Sequence, residues 1–317
     1  MMYKLILVLL LMWVSFAQAE DYAAVSVHMT PIKVGKHSYY VQGMAGAASS
    51  ENQGYMSNAG FVVTPAGVVV FDTLGTPSLA AELVRQIHKI TPLPIKYVII
   101  SHYHADHYYG LQVFKALGAE SWAHKNGQGA IDTDAAAERL AQRRVTLFPW
   151  VDEQTKLLPA DKWLDGDTDF KLGGVHFKLR YVGPAHSAED MAMLVQEDGV
   201  LYTGDVVFRG RIPFVGDADS KLWLGSLNKL IVLKPRVMIP GHGTASLKSS
   251  RDLKFTREYL EYLRKTMGQA VADLVPFDEA YAKTDWKKYA SMPAFVQANR
   301  ANAYNTYLLM EKESLNQ

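Results

Sequence analysis

The chain has 317 residues, 49% of them hydrophobic and 21% charged, an ordinary globular composition long enough for one large domain or two small ones. Lysine plus arginine number 33 against 32 acids, so no basic excess advertises a nucleic-acid partner. There is no cysteine, which excludes disulfides, thiolate zinc sites, cysteine nucleophiles and iron–sulfur clusters, and leaves any metal to histidine and carboxylate.

Met1 to Ala19 reads as a secretory leader. Lys4 is its positive start, Leu5 to Val14 its apolar run and Ala17-Gln18-Ala19 its small-residue cleavage site. That run is short of the ~20 residues needed to span a bilayer, so no stable membrane insertion is expected after cleavage. The expected location is the periplasm, or outside the cell.

Phe61 to Val63 and Val68 to Phe71 are β-branched runs around the turn signal Thr64-Pro65-Ala66-Gly67 and predict a hairpin. Ser78 to Ile90 carries apolar residues at a helical period. Ile95 to Ile100 suits a strand buried on both faces. Asp106 to Leu117 predicts one helix closed by Gly118, followed by a short strand Ser121 to Ala123 and a polar helix Asp132 to Val145. Four further strands are expected at Phe170 to Leu172, Val175 to Val182, Met191 to Val195 and Val200 to Thr203. A helix over Ser220 to Leu230 and a strand over Val237 to Ile239 follow. From Arg251 the pattern is helical, with Pro293 opening the last helix. Two runs of strands followed by helices suit a layered α/β/β/α domain over residues 20–250, with a helical extension over 251–317 packed on it.

The chemistry concentrates in Ser101-His102-Tyr103-His104-Ala105-Asp106-His107, between a buried strand and a helix. In extended backbone His102 and His104 point to one side and can share a metal, while Asp106 and His107 at the helix start can serve a second ion. Three of the ten histidines fall within the six residues His102 to His107, too dense for an ordinary polar loop. His186, Asp205 and His242 each sit in a glycine-containing turn after a short apolar strand, in Gly183-Pro184-Ala185-His186, Thr203-Gly204-Asp205 and Pro240-Gly241-His242.

This set resembles the metallo-β-lactamase superfamily, whose H-x-H-x-D-H motif stands at His102 to His107, with later motifs at His186, Asp205 and His242, over about Ile32 to Gly243. The resemblance implies a four-layer αββα sandwich holding two metals: one on His102, His104 and His186, the other on Asp106, His107 and His242, with Asp205 bridging them. It also implies Asp106 as a catalytic carboxylate and Asp72, at the end of the strand Val68 to Phe71, as a residue orienting a ligand, where the sequence alone also allows a simple turn residue. Two Zn2+ are expected, with iron or manganese also compatible with such ligands. The implied reaction is attack by a metal-bridging hydroxide on a small-molecule thioester, ester or lactone, as in glyoxalase II (hydroxyacylglutathione hydrolase), with no side-chain nucleophile. Asp205 favours that branch, since true β-lactamases of the superfamily have Cys or Ser at this place. The stretch from Gly204 through Phe208, Gly210-Arg211 and Pro213-Phe214 resembles exported members named for sulfur oxidation or quinoprotein relays. β-Lactam hydrolysis is the second reading. An iron-dependent persulfide oxidoreductase and a metal-binding accessory protein of a periplasmic relay are the others.

Five lesser features have two readings each. His124 could face substrate or be a strand-end histidine, and Tyr103, Tyr108 and Tyr109 could line the pocket or pack in the core. The loop Gly43 to Asn58 could be a flap or an ordinary surface loop. Asp165, Asp167 and Asp169 imitate a calcium loop, but Phe170 replaces its required Gly, so a polar hairpin is expected. Arg251 and Lys254 read as a solvated helix face rather than a glutathione site.

Overall fold

The computed structural model describes residues 22–216 and 218–315, without the side chains of Ser249 and Asp252. The leader read at Met1 to Ala19 lies outside the described residues. Strands β1 (Ile32–Lys33), β2 (Ser38–Val41), β3 (Ala59–Thr64), β4 (Gly67–Phe71), β5 (Ile95–Ile99), β6 (Glu120–His124) and β7 (Lys162–Leu164) form one sheet in chain order. Its first four strands are antiparallel and its last four parallel. Strands β8 (Thr168–Leu172), β9 (Val175–Tyr181), β10 (Met191–Val195), β11 (Val200–Tyr202) and β12 (Val237–Ile239) form the second, with only the last pair parallel.

The strands' alternation assigns each side chain to a layer. On β4, Val69 and Phe71 meet Phe177, Leu179, Met191 and Met193 of the second sheet, while Val68 and Val70 face α1 (Pro77–Ile90). On β10, Met191 and Met193 face inward, and Ala192 and Leu194 pack outward on Trp223 and Leu227 of α5 (Ser220–Ile231). Alternating strands buried on both faces thus produce the αββα order. The chain after the second sheet is helical: α6 (Ser249–Ala272), α7 (Phe277–Lys283) and α8 (Phe295–Leu315) add Leu260, Leu263 and Ala303 to the outer core of that sheet. No helix among the described residues is long and apolar enough to cross a membrane.

The helices start where sequence chemistry sets them. Thr76 caps α1 by accepting from Leu79 N at 3.0 Å, with Pro77 in the first turn. Thr133 does the same for α4 (Asp134–Thr146), and the Asp219 carboxylate for α5. One expectation fails: the single helix over Asp106 to Leu117 is two, α2 (Ala105–Tyr108) and α3 (Leu111–Ala116). The break falls at Gly110, where a Cβ would stand 2.1 Å from Thr73 O, so the chain is bent to pass this close under the β4 exit. The short strands β1, β2 and β7 carry too little apolar pattern to be read in advance. Gly60 on β3 matters for a similar reason of space, because an added Cβ would lie 2.2 Å from the ring of Tyr202 on β11. Gly60→Ala should lower stability by about 1–3 kcal/mol. Denaturant melts that match the parent would contradict this packing of the sheets.

Candidate metal centre

The strands β4, β5, β11 and β12 end at one edge of the sandwich, and each exit delivers a polar side chain. Asp72 follows β4, His102 and His104 follow β5, Asp205 follows β11 and His242 follows β12. The loop between β9 and β10 adds His186, and the first turn of α2 adds Asp106 and His107. All seven residues implied as ligands therefore meet, although they span the chain from 102 to 242.

Their nitrogens and oxygens fall into three overlapping groups, each with atoms within 4.8 Å of one another: His102, His104 and His186; His102, His107 and Asp205; Asp106, His107 and His242. Asp205 touches both ends of the site. Its Oδ1 lies 3.1 Å from His107 Nε2, and its Oδ2 lies 3.4 Å from His186 Nε2 and 3.2 Å from His242 Nε2. Gly241 makes this approach possible, since a Cβ there would stand 1.9 Å from Asp205 Oδ1.

The outer nitrogens of three histidines are tied to the protein. His107 Nδ1 donates to Asp72 Oδ2 at 2.8 Å, and His242 Nδ1 donates to Met56 O at 2.7 Å. His102 Nδ1 contacts Ser101 Oγ at 2.9 Å, and that hydroxyl donates to Asp72 Oδ2 at 2.8 Å. The inner atoms have no such partner: His102, His107 and His242 Nε2, Asp106 Oδ2 and Asp205 Oδ1 are buried without a hydrogen bond. Five desolvated donor atoms of this kind, with contacts of 3.1–3.4 Å among those of Asp106, His107, Asp205 and His242, fit divalent cations. Hard carboxylates with imidazoles suit zinc, iron or manganese.

The electrostatics follow from crowding. Burial and the neighbouring imidazoles of His107 and His104 hold His102 well below the usual histidine range. Burial pushes His104 down to about 3, helped by His186. Burial opposes ionisation of Asp106 and Asp205, but His107 and His242 hold both carboxylates well below their ordinary range. Burial likewise opposes charge on His107, yet Asp205, Asp106 and Asp72 raise it well above the normal imidazole range.

The remaining expectations divide. Asp72 is not a simple turn residue; its backbone is left-handed (φ 64°), which turns its carboxylate to Ser101 N at 2.7 Å as well as to His107. His124 is stacked on Tyr181 at 3.8 Å and is absent from the walls of the metal cavity, as is each of the three tyrosines, which are buried and border a neighbouring hollow. The loop Gly43 to Asn58 is a wall of the site: Ala47, Ala48 and Met56 line a cavity of about 320 Å³ over the ligands. Asn58 pins the loop to the His242 turn, donating to Pro240 O and Gly243 O at 2.8 Å each. Asp169 pairs with Arg180, and Asp167 accepts from Tyr181 N at 2.9 Å, as a polar hairpin requires. Lys254 pairs with Glu258 along α6 at 3.4 Å, a helix-face contact.

Sequence reasoning missed Arg211, which is 2% exposed, donates to Gly46 O at 2.8 Å and lies 3.2 Å from His242 Nδ1. It also missed Glu189, which accepts from Tyr103 N at 3.0 Å between two ligands. Neither has a local pattern that marks it.

The family model of the metallo-beta-lactamase superfamily matches residues 52–242, a span that holds all seven of these residues. The chain belongs to the metallo-beta-lactamase superfamily. It is 25% identical over 215 residues to the metallo-beta-lactamase type 2 of Elizabethkingia meningoseptica, covering 67% of this chain and 78% of the relative. It is 21% identical over 238 residues to the linear primary-alkylsulfatase of Pseudomonas sp. (strain ATCC 19151), covering 64% of this chain but 45% of the relative. Among solved structures, the sec-alkylsulfatase Pisa1 from Pseudomonas sp. superposes with a TM-score of 0.68 at 17% identity, over 88% of this chain and 50% of that one. The chain is thus a metal-dependent hydrolase of this superfamily, with the sandwich and helical C-terminal region expected of it.

Asp72→Asn keeps the shape but replaces an acceptor that fixes the His107 tautomer. Zinc titration should show metal affinity weakened about 10–100-fold. Unchanged affinity would show that Asp72 only shapes the turn.

Proposed function

We propose that the chain is an exported hydrolase holding two zinc ions and cleaving a thioester, ester or lactone of a small molecule. His102, His104 and His186 would hold one ion, and Asp106, His107 and His242 the other. The observation that carries this reading is Asp205, whose two oxygens lie 3.1–3.4 Å from histidines of both groups. Two such ions, when bound, supply Lewis acidity and acidify water toward neutral pH.

The chain's own residues do the rest. Met56 and Phe214 give the cavity an apolar part of its lining beside the metal-site residues. Asp106, kept ionised by His107 and His242, borders the same cavity and would be the carboxylate nearest the reaction. Asp72 and Met56 O keep His107 and His242 in one tautomer, so the inner nitrogens face the site in every turnover. The carboxylate at position 205 supports a general acyl hydrolase over a β-lactamase. β-Lactam cleavage is the second reading, favoured by the relatives in Elizabethkingia meningoseptica and Chryseobacterium indologenes named as metallo-beta-lactamases. The leader read at the N-terminus supports export.

A panel of thioesters, lactones and β-lactams presented to the zinc-loaded protein separates these readings. Turnover of the first two with little of the third is expected, and preference for β-lactams would replace the first reading by the second. Asp205→Asn should weaken both metals together and reduce kcat/KM at least about tenfold. Loss of one metal alone would show that Asp205 does not join the two halves.

A further inference from the structure

Helix α4 stands at the mouth of the metal cavity and is held to the protein by little, Leu140 being its one buried residue. It carries three arginines with two fates. Arg144 turns away, donating to Asp152 O at 2.9 Å and Thr155 O at 3.2 Å and pairing with Glu153. Arg139 and Arg143 instead line the same cavity as His104, Asp106, Asp205 and His242.

These two guanidinium groups are one turn apart on one face, an arrangement that repels and destabilises a helix. No acid on α4 relieves it: positions three and four residues from Arg139 are Ala135, Ala136, Gln142 and Arg143, and those beyond Arg143 are Thr146 and Leu147. Among the described residues, neither has an ion-pair or hydrogen-bond partner. The cavity's own carboxylates do not serve them, because Asp106 and Asp205 already face His107 and His242 at 3.1–3.4 Å. The same cavity has an apolar part to its lining, formed by Ala47, Ala48, Met56 and Phe214. The cavity therefore has the metal-site residues at its floor, an apolar part and a partly exposed cationic side with no partner among the described residues.

We propose that Arg139 and Arg143 form an anion subsite, so that the substrate carries a carboxylate or sulfate-type group apart from the bond cleaved, with its apolar part against Met56 and Phe214. Planar guanidinium forks match both groups in charge and geometry. The inference rests on the hydrolytic reading of the cavity only for its position relative to the reaction, since anion binding can be measured without turnover.

The test compares 4-nitrophenyl butyrate with mono-4-nitrophenyl glutarate on the zinc-loaded parent, R139Q/R143Q and R139K/R143K. Glutamine keeps the helix and lysine keeps the charge. The parent should prefer the glutarate ester, and the glutamine variant should lose about tenfold of that preference through KM. The lysine variant should retain part of it, with zinc content equal in all three. Calorimetric titration with monoethyl glutarate should show the same loss of affinity. No preference in the parent, or a preference that survives in R139Q/R143Q, overturns the subsite. If neither ester is turned over, the hydrolytic reading fails on these substrates, and the calorimetric comparison still decides the subsite: equal affinity in parent and glutamine variant overturns it.

Discussion

Everything about this molecule is organised around a group of polar atoms that face one another with no hydrogen-bonding partner. Burying an amide-sized polar group unpaired costs a few kcal/mol, and an unpaired charge more. Here five inward atoms of His102, Asp106, His107, Asp205 and His242 are left in that state together. Divalent cations complete such an arrangement while leaving the outer hydrogen bonds intact. The outer bonds to Asp72, Ser101 and Met56 are the counterpart: they hold the rings so that the inner atoms stay aligned before any ion arrives.

The sandwich makes that convergence possible. Two sheets packed through Val69, Phe71, Leu179 and Met193 bring strands distant in sequence to a common edge, and turns at that edge need little length to reach the centre. Close approach is bought with glycine at Gly241 and with a left-handed Asp72. The loop 43–58 and the helix α4 then wall the cavity from two sides, one apolar and anchored through Asn58, the other cationic and lightly held.

Much of this was legible in the sequence, for identifiable reasons. The β-branched runs and their turn residues specify the central strands, because burial on both faces leaves a continuous apolar signature. His102 to His107 is readable because four metal-binding residue types are local, Asp205 and His242 because each follows such a strand, and His186 because it sits in a glycine-containing turn after β9. What escaped has no local signal. Arg211, Asn58 and Glu189 act through partners from 31 to 185 residues away. The break at Gly110 reflects contact with Thr73, which no helical periodicity reports. Arg139 and Arg143 look like any solvated helix face until α4 is placed beside the ligands.

The central claim is that seven side chains form one centre for two ions. Elemental analysis of the purified protein by plasma mass spectrometry, with parallel counts of zinc, iron and manganese per chain, tests it most directly. The account predicts about two zinc ions per chain. A single iron, or a chain that remains metal-free after incubation with excess zinc, would contradict it.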